Sequence, residues 1–205
     1  RNYLSMFTIL VNEKNSEVEK ISRKVLDTKM VDAIRGYKKG ATDVSLQVAS
    51  VWRVLNEMDF EFKQPIINSL ENQVKNTSVK SIDKVIKAKT GNTIEGAILF
   101  SSILKKMGIH SSIIFMSDKC YLGYYTDEKT NSTINILDLT LISNNTFTSN
   151  PKQSVQDNKA ELADIPKALK LSDLNKAYYL EYLNAISEGN KAYQEIKNKS
   201  DINQL

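Results

Sequence analysis

Cys120 and His110 are the only cysteine and the only histidine among the 205 residues. They hold all the thiol and imidazole chemistry open to the chain, a thiolate nucleophile and a base that titrates near neutral pH. Their settings do not favour that use. Cys120 lies inside a strand pattern, where a lone cysteine is by default a small buried apolar side chain. His110 follows a helix stop at a strand start and reads as a surface histidine. No Cys or carboxylate cluster with metal-ligand spacing accompanies it, and Asp127, Glu128 and Asp138 lack the alternating oxygen pattern of a calcium loop. No metal or cofactor is expected. Thr93 opens an apolar helix, where a hydroxyl caps free N–H groups. Tyr178, Tyr179, Tyr182 and Tyr193 sit at helical spacing, which suits packing in a core and also suits a partner interface.

These residues have to be placed by a run of helices followed by a run of strands. Residues 16–38 read as an amphipathic helix, with Ser16 as cap, acidic Glu17 and Glu19 in the first turn, and Val18, Ile21 and Val25 as a stripe widened by Leu26, Met30, Ala33, Ile34 and Tyr37. A second helix spans about residues 42–58, capped by Thr42 or Asp43 and carrying Val44, Val48, Val51, Trp52 and Leu55. A third starts at Pro65, a favoured first-turn residue, with Ile66, Ile67, Leu70 and Val74. A short fourth follows Ser81. The helix at about 93–107 differs from these. Ile94, Ala97, Ile98, Leu99, Phe100, Ile103, Leu104 and Met107 make it apolar on most sides, so it belongs in the centre of the molecule, and Gly108 ends it. Strands are expected at 109–116, 121–126 and 133–139, the last two joined by a polar hairpin. Residues 143–160 read as loop, and a long helix begins near Asp173.

One segment carries a family resemblance. It runs Lys89-Thr90-Gly91-Asn92-Thr93-Ile94-Glu95-Gly96-Ala97-Ile98-Leu99-Phe100, then Leu104 to Gly108-Ile109, with Leu137-Asp138-Leu139-Thr140 further on. It resembles the core of the transglutaminase-like superfamily, whose fold is related to papain-like cysteine proteases. In that family a Gly, a small polar residue and the nucleophilic Cys open the central helix, Gly-Ile closes it, a His begins a strand, and an Asp ends the next in Leu-Asp-x-Thr. The resemblance covers roughly residues 78–142. It implies an α+β fold, a central buried helix with an antiparallel sheet, here flanked by N- and C-terminal helices. It divides the chain into an arm (1–40), a core (41–142), a linker (143–171) and a C-terminal helix (172–205).

The resemblance also implies a triad, and the chain departs from it. Thr93 stands at the nucleophile position and Lys119 at the His position, with Cys120 and Tyr121 after it. Only Asp138 survives. A thiolate at a helix N-terminus is stabilised by the dipole and by an imidazolium. A threonine hydroxyl is a far weaker nucleophile, and the familiar threonine enzymes rely on an N-terminal amine. A lysine serves as base only where burial strips its proton. The expected function is therefore that of a pseudoenzyme, a non-catalytic module for protein–protein association, with Tyr178, Tyr179, Tyr182 and Tyr193 as candidate surface. Two other readings stay open: a peptide- or glycan-binding module using the ancestral cleft, and an enzyme with an unusual Thr or Cys nucleophile.

Composition narrows the partners. Hydrophobic residues at 41% and charged residues at 25% suit a globular chain with a sizeable core. The net charge of +4 resides in residues 1–40, and no basic patch with interleaved aromatics or nucleic-acid motif is visible. With 24 Lys to 4 Arg, the chain is short of the side chain that forks onto phosphates and bases. Another protein is the expected partner, and nucleic acid is not. A single cysteine excludes an internal disulfide. No run approaches the about 18 apolar residues of a membrane span. The chain opens at Arg1 instead of Met, which leaves room for a removed signal or lipoprotein peptide and a lipid anchor. Abundant Lys, Asn and Ile suggest an AT-rich bacterial genome. The expected compartment is the cell envelope or periplasm, with the cytoplasm as the other reading.

Overall fold

The structure is a computed structural model that describes residues 9–65, 79–116, 119–129 and 134–198. Its described elements are α1 (Ser16–Asp27), α2 (Ala41–Glu57), β1 (Glu61–Lys63), α3 (Ile82–Ala88), β2 (Thr90–Asn92), α4 (Thr93–Lys106), β3 (Ser111–Met116), β4 (Lys119–Tyr125), β5 (Ile134–Leu137), α5 (Pro151–Asp157) and α6 (Asp173–Asn198). The fold is α+β, as expected. β3, β4 and β5 form an antiparallel sheet in sequence order, while β1 and β2 pair as a small parallel ribbon. None of the described helices is long and apolar enough to cross a membrane.

α4 is the centre. Every residue from Thr93 to Leu104 is buried, which is why its apolar side chains need no single stripe. β3 and β4 pack on it, and so do α1, α2, α3 and the β1–β2 ribbon. Its start is held by a capping box: the Asn92 side chain accepts from the Glu95 N–H (2.9 Å), and Glu95 accepts from the Asn92 N–H (3.0 Å). The cap is thus Asn92, and Thr93, expected to cap, is the first helical residue with its hydroxyl free for another bond.

The first helix stops eleven residues short of expectation. Asn15, and not Ser16, caps it by accepting from the Glu17 and Val18 N–H groups. Lys29 is left-handed (φ 57), and the chain beyond is irregular. Met30 and Val31 are nevertheless buried, and Ile34 and Tyr37 are packed against the core. Their burial explains why the stripe looked continuous. What makes the irregular path affordable is Gln47 on α2, whose carbonyl accepts from the Arg35 and Gly36 N–H groups (3.0 and 3.1 Å) and whose amide donates to the Gly36 carbonyl (2.9 Å). α2 is capped at Gly40 (φ 81), not at Thr42 or Asp43; the Asp43 carboxylate instead accepts from Gln47 (2.8 Å). The helix expected from Pro65 lies outside the described residues.

The C-terminal helix α6 covers β5, the last strand of the sheet. An edge strand leaves alternate N–H groups unpaired. Here the Ile136 N–H donates to the Asn190 side chain (3.0 Å), and the Asp138 N–H donates to the Ala185 carbonyl of the helix (3.2 Å). The approach is close because position 189 has no side chain. A methyl there would stand 2.2 Å from the Ile136 carbonyl oxygen.

Both flanking helices contribute to one apolar core, with Val18, Ile21 and Val25 from α1 and Tyr179, Tyr182 and Ala185 from α6. They do not pack chiefly on each other: α1 lies on α2 and α4, and α6 lies on β5, α2 and α5. Arg53 on α2 joins them. Its guanidinium donates to the Thr28 carbonyl (3.0 Å) and to the Asn175 side chain, and it lies 5.2 Å above the Tyr178 ring. The stretch 143–171 holds α5 and a 3-10 turn (Lys167–Leu169). It is pinned to α6 by Glu181, which is buried and accepts from the Phe147 N–H (2.6 Å) and the Thr148 N–H (3.3 Å).

Two outcomes follow. An exposed helical Gly→Ala change stabilises by about 1 kcal/mol, but Gly189→Ala is expected to destabilise by about 3 kcal/mol through backbone overpacking, measurable by urea denaturation. Burial raises the Glu181 carboxyl above its ordinary 4.5, partly offset by its two backbone donors. A carboxyl raised in the folded state stabilises most below its unfolded value, and that contribution is lost as pH rises through the folded value. Wild type is therefore expected to lose stability relative to Glu181→Gln as pH climbs above 4.5, read from Tm across a pH series.

Candidate functional site

The first turn of α4 is positioned by the parallel ribbon. β1 pairs with β2 in the register Glu61↔Thr90, Phe62↔Gly91 and Lys63↔Asn92. Continuing one residue sets Gln64 beside Thr93. Phe62 fills the space over Gly96, where a methyl would meet its ring at 2.8 Å. The ribbon therefore lies against the helix start, and Gln64 is delivered to it.

Gln64 closes a small polar cluster. Thr93 Oγ1 donates to Gln64 Oε1 (2.9 Å), and the Cys120 N–H donates to the same oxygen (3.0 Å). Gln64 Nε2 in turn donates to the Cys120 carbonyl (3.4 Å). The strand pattern explains this. β4 pairs with β3 from Lys119 to Tyr124, but β5 pairs only with Leu122–Tyr125. At Cys120 the ladder on that side has ended, and the Gln64 amide replaces the missing strand by satisfying both backbone groups.

Pleat alternation decides which side chain meets Thr93. Cys120, Leu122 and Tyr124 belong to the main core with α4, whereas Tyr121 belongs to a separate cluster with Met116, Ile136 and partly buried Ala192 and Tyr193 of α6. Cys120 thus turns toward Thr93, and both are fully buried. Burial pushes the Cys120 thiol well above its ordinary range, and its hydrogen bond with Thr93 only weakly opposes this. An activated thiolate requires the reverse.

The other two residues that the resemblance aligns with a triad are placed elsewhere. Lys119 is exposed at the start of β4, on the alternate side from Cys120. Asp138 follows β5 and caps a 3-10 turn (Leu139–Leu141), accepting from the Thr140 N–H (3.0 Å) and the Thr140 hydroxyl (2.7 Å). Its neighbours Leu137 and Leu139 point into the main core. The structure brings Thr93 together with Cys120 and Gln64, and it makes no hydrogen bond or ion pair among Thr93, Lys119 and Asp138. Gln64 was not singled out in the sequence. No local motif marks it, because its role comes from pairing with a strand 29 residues ahead in the chain.

His110 is exposed and makes its contacts outside this cluster. Its N–H donates to the Tyr37 hydroxyl (2.7 Å), and its ring meets Tyr37 edge-on. Among the described residues no group of three or more His, Cys, Asp and Glu could hold a metal ion. Three of the tyrosines read as candidate surface are inside: Tyr178, Tyr179 and Tyr182 are buried, and Tyr182 shares a hydroxyl hydrogen bond with Tyr124 on β4. They face the core because α6 needs its apolar side to cover β5 and α2. Tyr193 is partly buried against the second cluster.

The chain was compared with family models, curated proteins and solved structures, and none matches.

Removing the Gln64 amide leaves the Thr93 hydroxyl and the Cys120 backbone without their buried partner. Gln64→Ala is expected to destabilise by about 1–3 kcal/mol in urea denaturation. It should also raise the rate at which a thiol reagent modifies Cys120, a reaction that in wild type waits on opening of the structure.

Proposed function

We propose that the chain is a non-catalytic transglutaminase-like module that mediates protein–protein association in a bacterial cell envelope. The observation that carries this reading is the state of Thr93. At the position where the family resemblance puts a nucleophile, a buried hydroxyl donates to the amide of Gln64, which is not a base. The thiol beside it is buried and held in its protonated form. Nucleophilic catalysis at a helix N-terminus needs an activating base within reach and a path for substrate. Here the helix start is sealed by an amide and a strand, a packing role in place of a chemical one.

The order of elements supports the resemblance, with Gly91-Asn92 opening a buried helix that is followed by an antiparallel sheet packed on it. The register shifts by one residue from expectation: the strand position facing the helix start is Cys120 instead of Lys119. Closure of this region favours association at another surface over ligand binding in an ancestral cleft. A fold that outlives its chemistry keeps its surfaces, and function then depends on those.

The test is an assay for amine incorporation into a glutamine peptide, with a peptidase assay alongside. Wild type and Thr93→Cys are both expected to show no turnover, since the single change supplies a thiol without an imidazole or carboxylate to activate it. Turnover by wild type that disappears in Thr93→Ala or Cys120→Ala would overturn the reading in favour of an enzyme with an unusual nucleophile.

A further inference from the structure

Between Ile142, buried in the main core, and Leu162, packed against it, the chain sends no side chain into either apolar cluster. Phe147 and Val155 are only half-buried, and α5 has no buried residue. A seven-residue helix is too short to hold itself in water. Local bonds keep the stretch compact. Ser154 Oγ donates to the Phe147 carbonyl (2.9 Å), and the Ser149 and Asn158 N–H groups donate to the Asn145 and Ser154 carbonyls. Ser143 fastens the near end by donating to the Phe60 carbonyl (2.6 Å). Among the described hydrogen bonds, those that reach residues 145–158 from another element both end on one oxygen, Glu181 Oε1.

This stretch covers a part of α6 that the core does not. Ala177, Leu180 and Glu181 are buried, yet neither cluster includes Ala177 or Leu180. At about 100° per residue they lie on the side of α6 turned away from Tyr179 and Tyr182. α5 packs on α6 and supplies their cover. Nothing in this setting compensates a charge on Glu181. No residue from 142 to 151 is charged. Lys152 and Asp157 on α5, and Glu188 further along α6, are exposed. Lys159 and Lys176 line a groove beside Val155. Tyr178, one turn back, faces Arg53 of α2, which is itself paired with Glu57 (2.7 Å), and exposed Asp59 pairs with Lys89 (3.9 Å). No described ion pair includes Glu181.

We infer that residues 143–158 form a strap that opens from α6 as a unit while the core stays folded, and that Glu181 is its latch, gripping while its carboxyl is protonated and loosening once it is ionised. A neutral carboxyl accepts both N–H groups through the same oxygen. An ionised one keeps those bonds and adds a buried charge with no cation beside it. Burial accordingly raises the carboxyl above its ordinary value, and the two donors only partly oppose this. Opening returns it to water and to that ordinary value. Closure is therefore favoured most in acid and weakens as pH rises through the closed-state value. Each opening bares Ala177 and Leu180 and leaves α4 and the sheet untouched, the pattern of a local, low-stability unit.

The test is hydrogen–deuterium exchange of the whole chain read by mass spectrometry at pH 4 and pH 7, with protection taken relative to the intrinsic rate at each pH. Peptides spanning 144–158 are expected to be far less protected than those of α4. At pH 7 their protection should be severalfold higher in Glu181→Gln, a neutral side chain with the same accepting oxygen, than in wild type. The two should converge at pH 4, with Glu181→Gln unchanged between the two conditions. Glu181→Ala should lose strap protection at both pH values while α4 keeps its own. Strap protection equal to that of α4 would overturn the separate opening. Wild-type protection that does not fall with pH, or Glu181→Ala protected like wild type at pH 4, would overturn the latch. If Glu181→Gln fails to fold by circular dichroism, the wild-type pH series decides alone.

Discussion

A helix buried on all sides from Thr93 to Leu104 dictates the rest of this structure. α4 has no face to offer water, so each of its sides requires a cover. The sheet supplies one, α1 and α2 supply others, and the β1–β2 ribbon closes the first turn. This requirement draws α1 inward. α1 is stable because its stripe lies on α2 and α4, and the irregular stretch after it can be buried only because Gln47 answers its backbone groups. The polar start of α4 faces the same demand. Its N–H groups are met by a capping box, and its first hydroxyl is met by an amide from another strand.

Periodicity made much of this architecture legible. Residues 93–107 read as a buried helix because hydrophobic side chains fall on most sides, and the long helix from Asp173 follows from spacing and from a serine before it. The β-branched and aromatic residues after Gly108 mark three strands in the order observed. What was hidden shares one cause, the satisfaction of backbone groups by distant side chains. The stripe from Ile21 to Tyr37 is continuous in sequence, yet the chain leaves the helix at Lys29, because the glutamine that stabilises the irregular path lies on the next helix. Cap residues were misplaced by one to three positions, as at Asn15 and Gly40, where neighbouring polar residues compete for the same role.

The site was legible in its helix half and not in its strand half. Thr93 could be placed at the first turn because Gly91-Asn92 precede it and an apolar run follows. Whether Lys119 or Cys120 faced that turn depended on strand register, and a slip of one residue exchanges the two faces. Asp138 looked like a surviving member of a triad because Leu-Asp-x-Thr fits one. The same four letters also make a capped 3-10 turn, in which the threonine two residues on is the partner of the carboxylate. The tyrosines of α6 posed a similar ambiguity, since amphipathic rings suit a core and an interface alike; three of them are buried.

The contact between α6 and β5 has a bearing on how the protein assembles. A three-stranded sheet has two open margins, and a helix lying along one of them by hydrogen bonding to its backbone acts as a guard against strand exchange. Asn190 and the Ala185 carbonyl occupy donors that a neighbouring chain's strand would otherwise claim. Because the guard is the last described helix and depends on one glycine for its fit, proteolytic clipping between α5 and α6 would do more than weaken the fold. It would free two backbone donors on the β5 edge, the groups with which an added strand pairs.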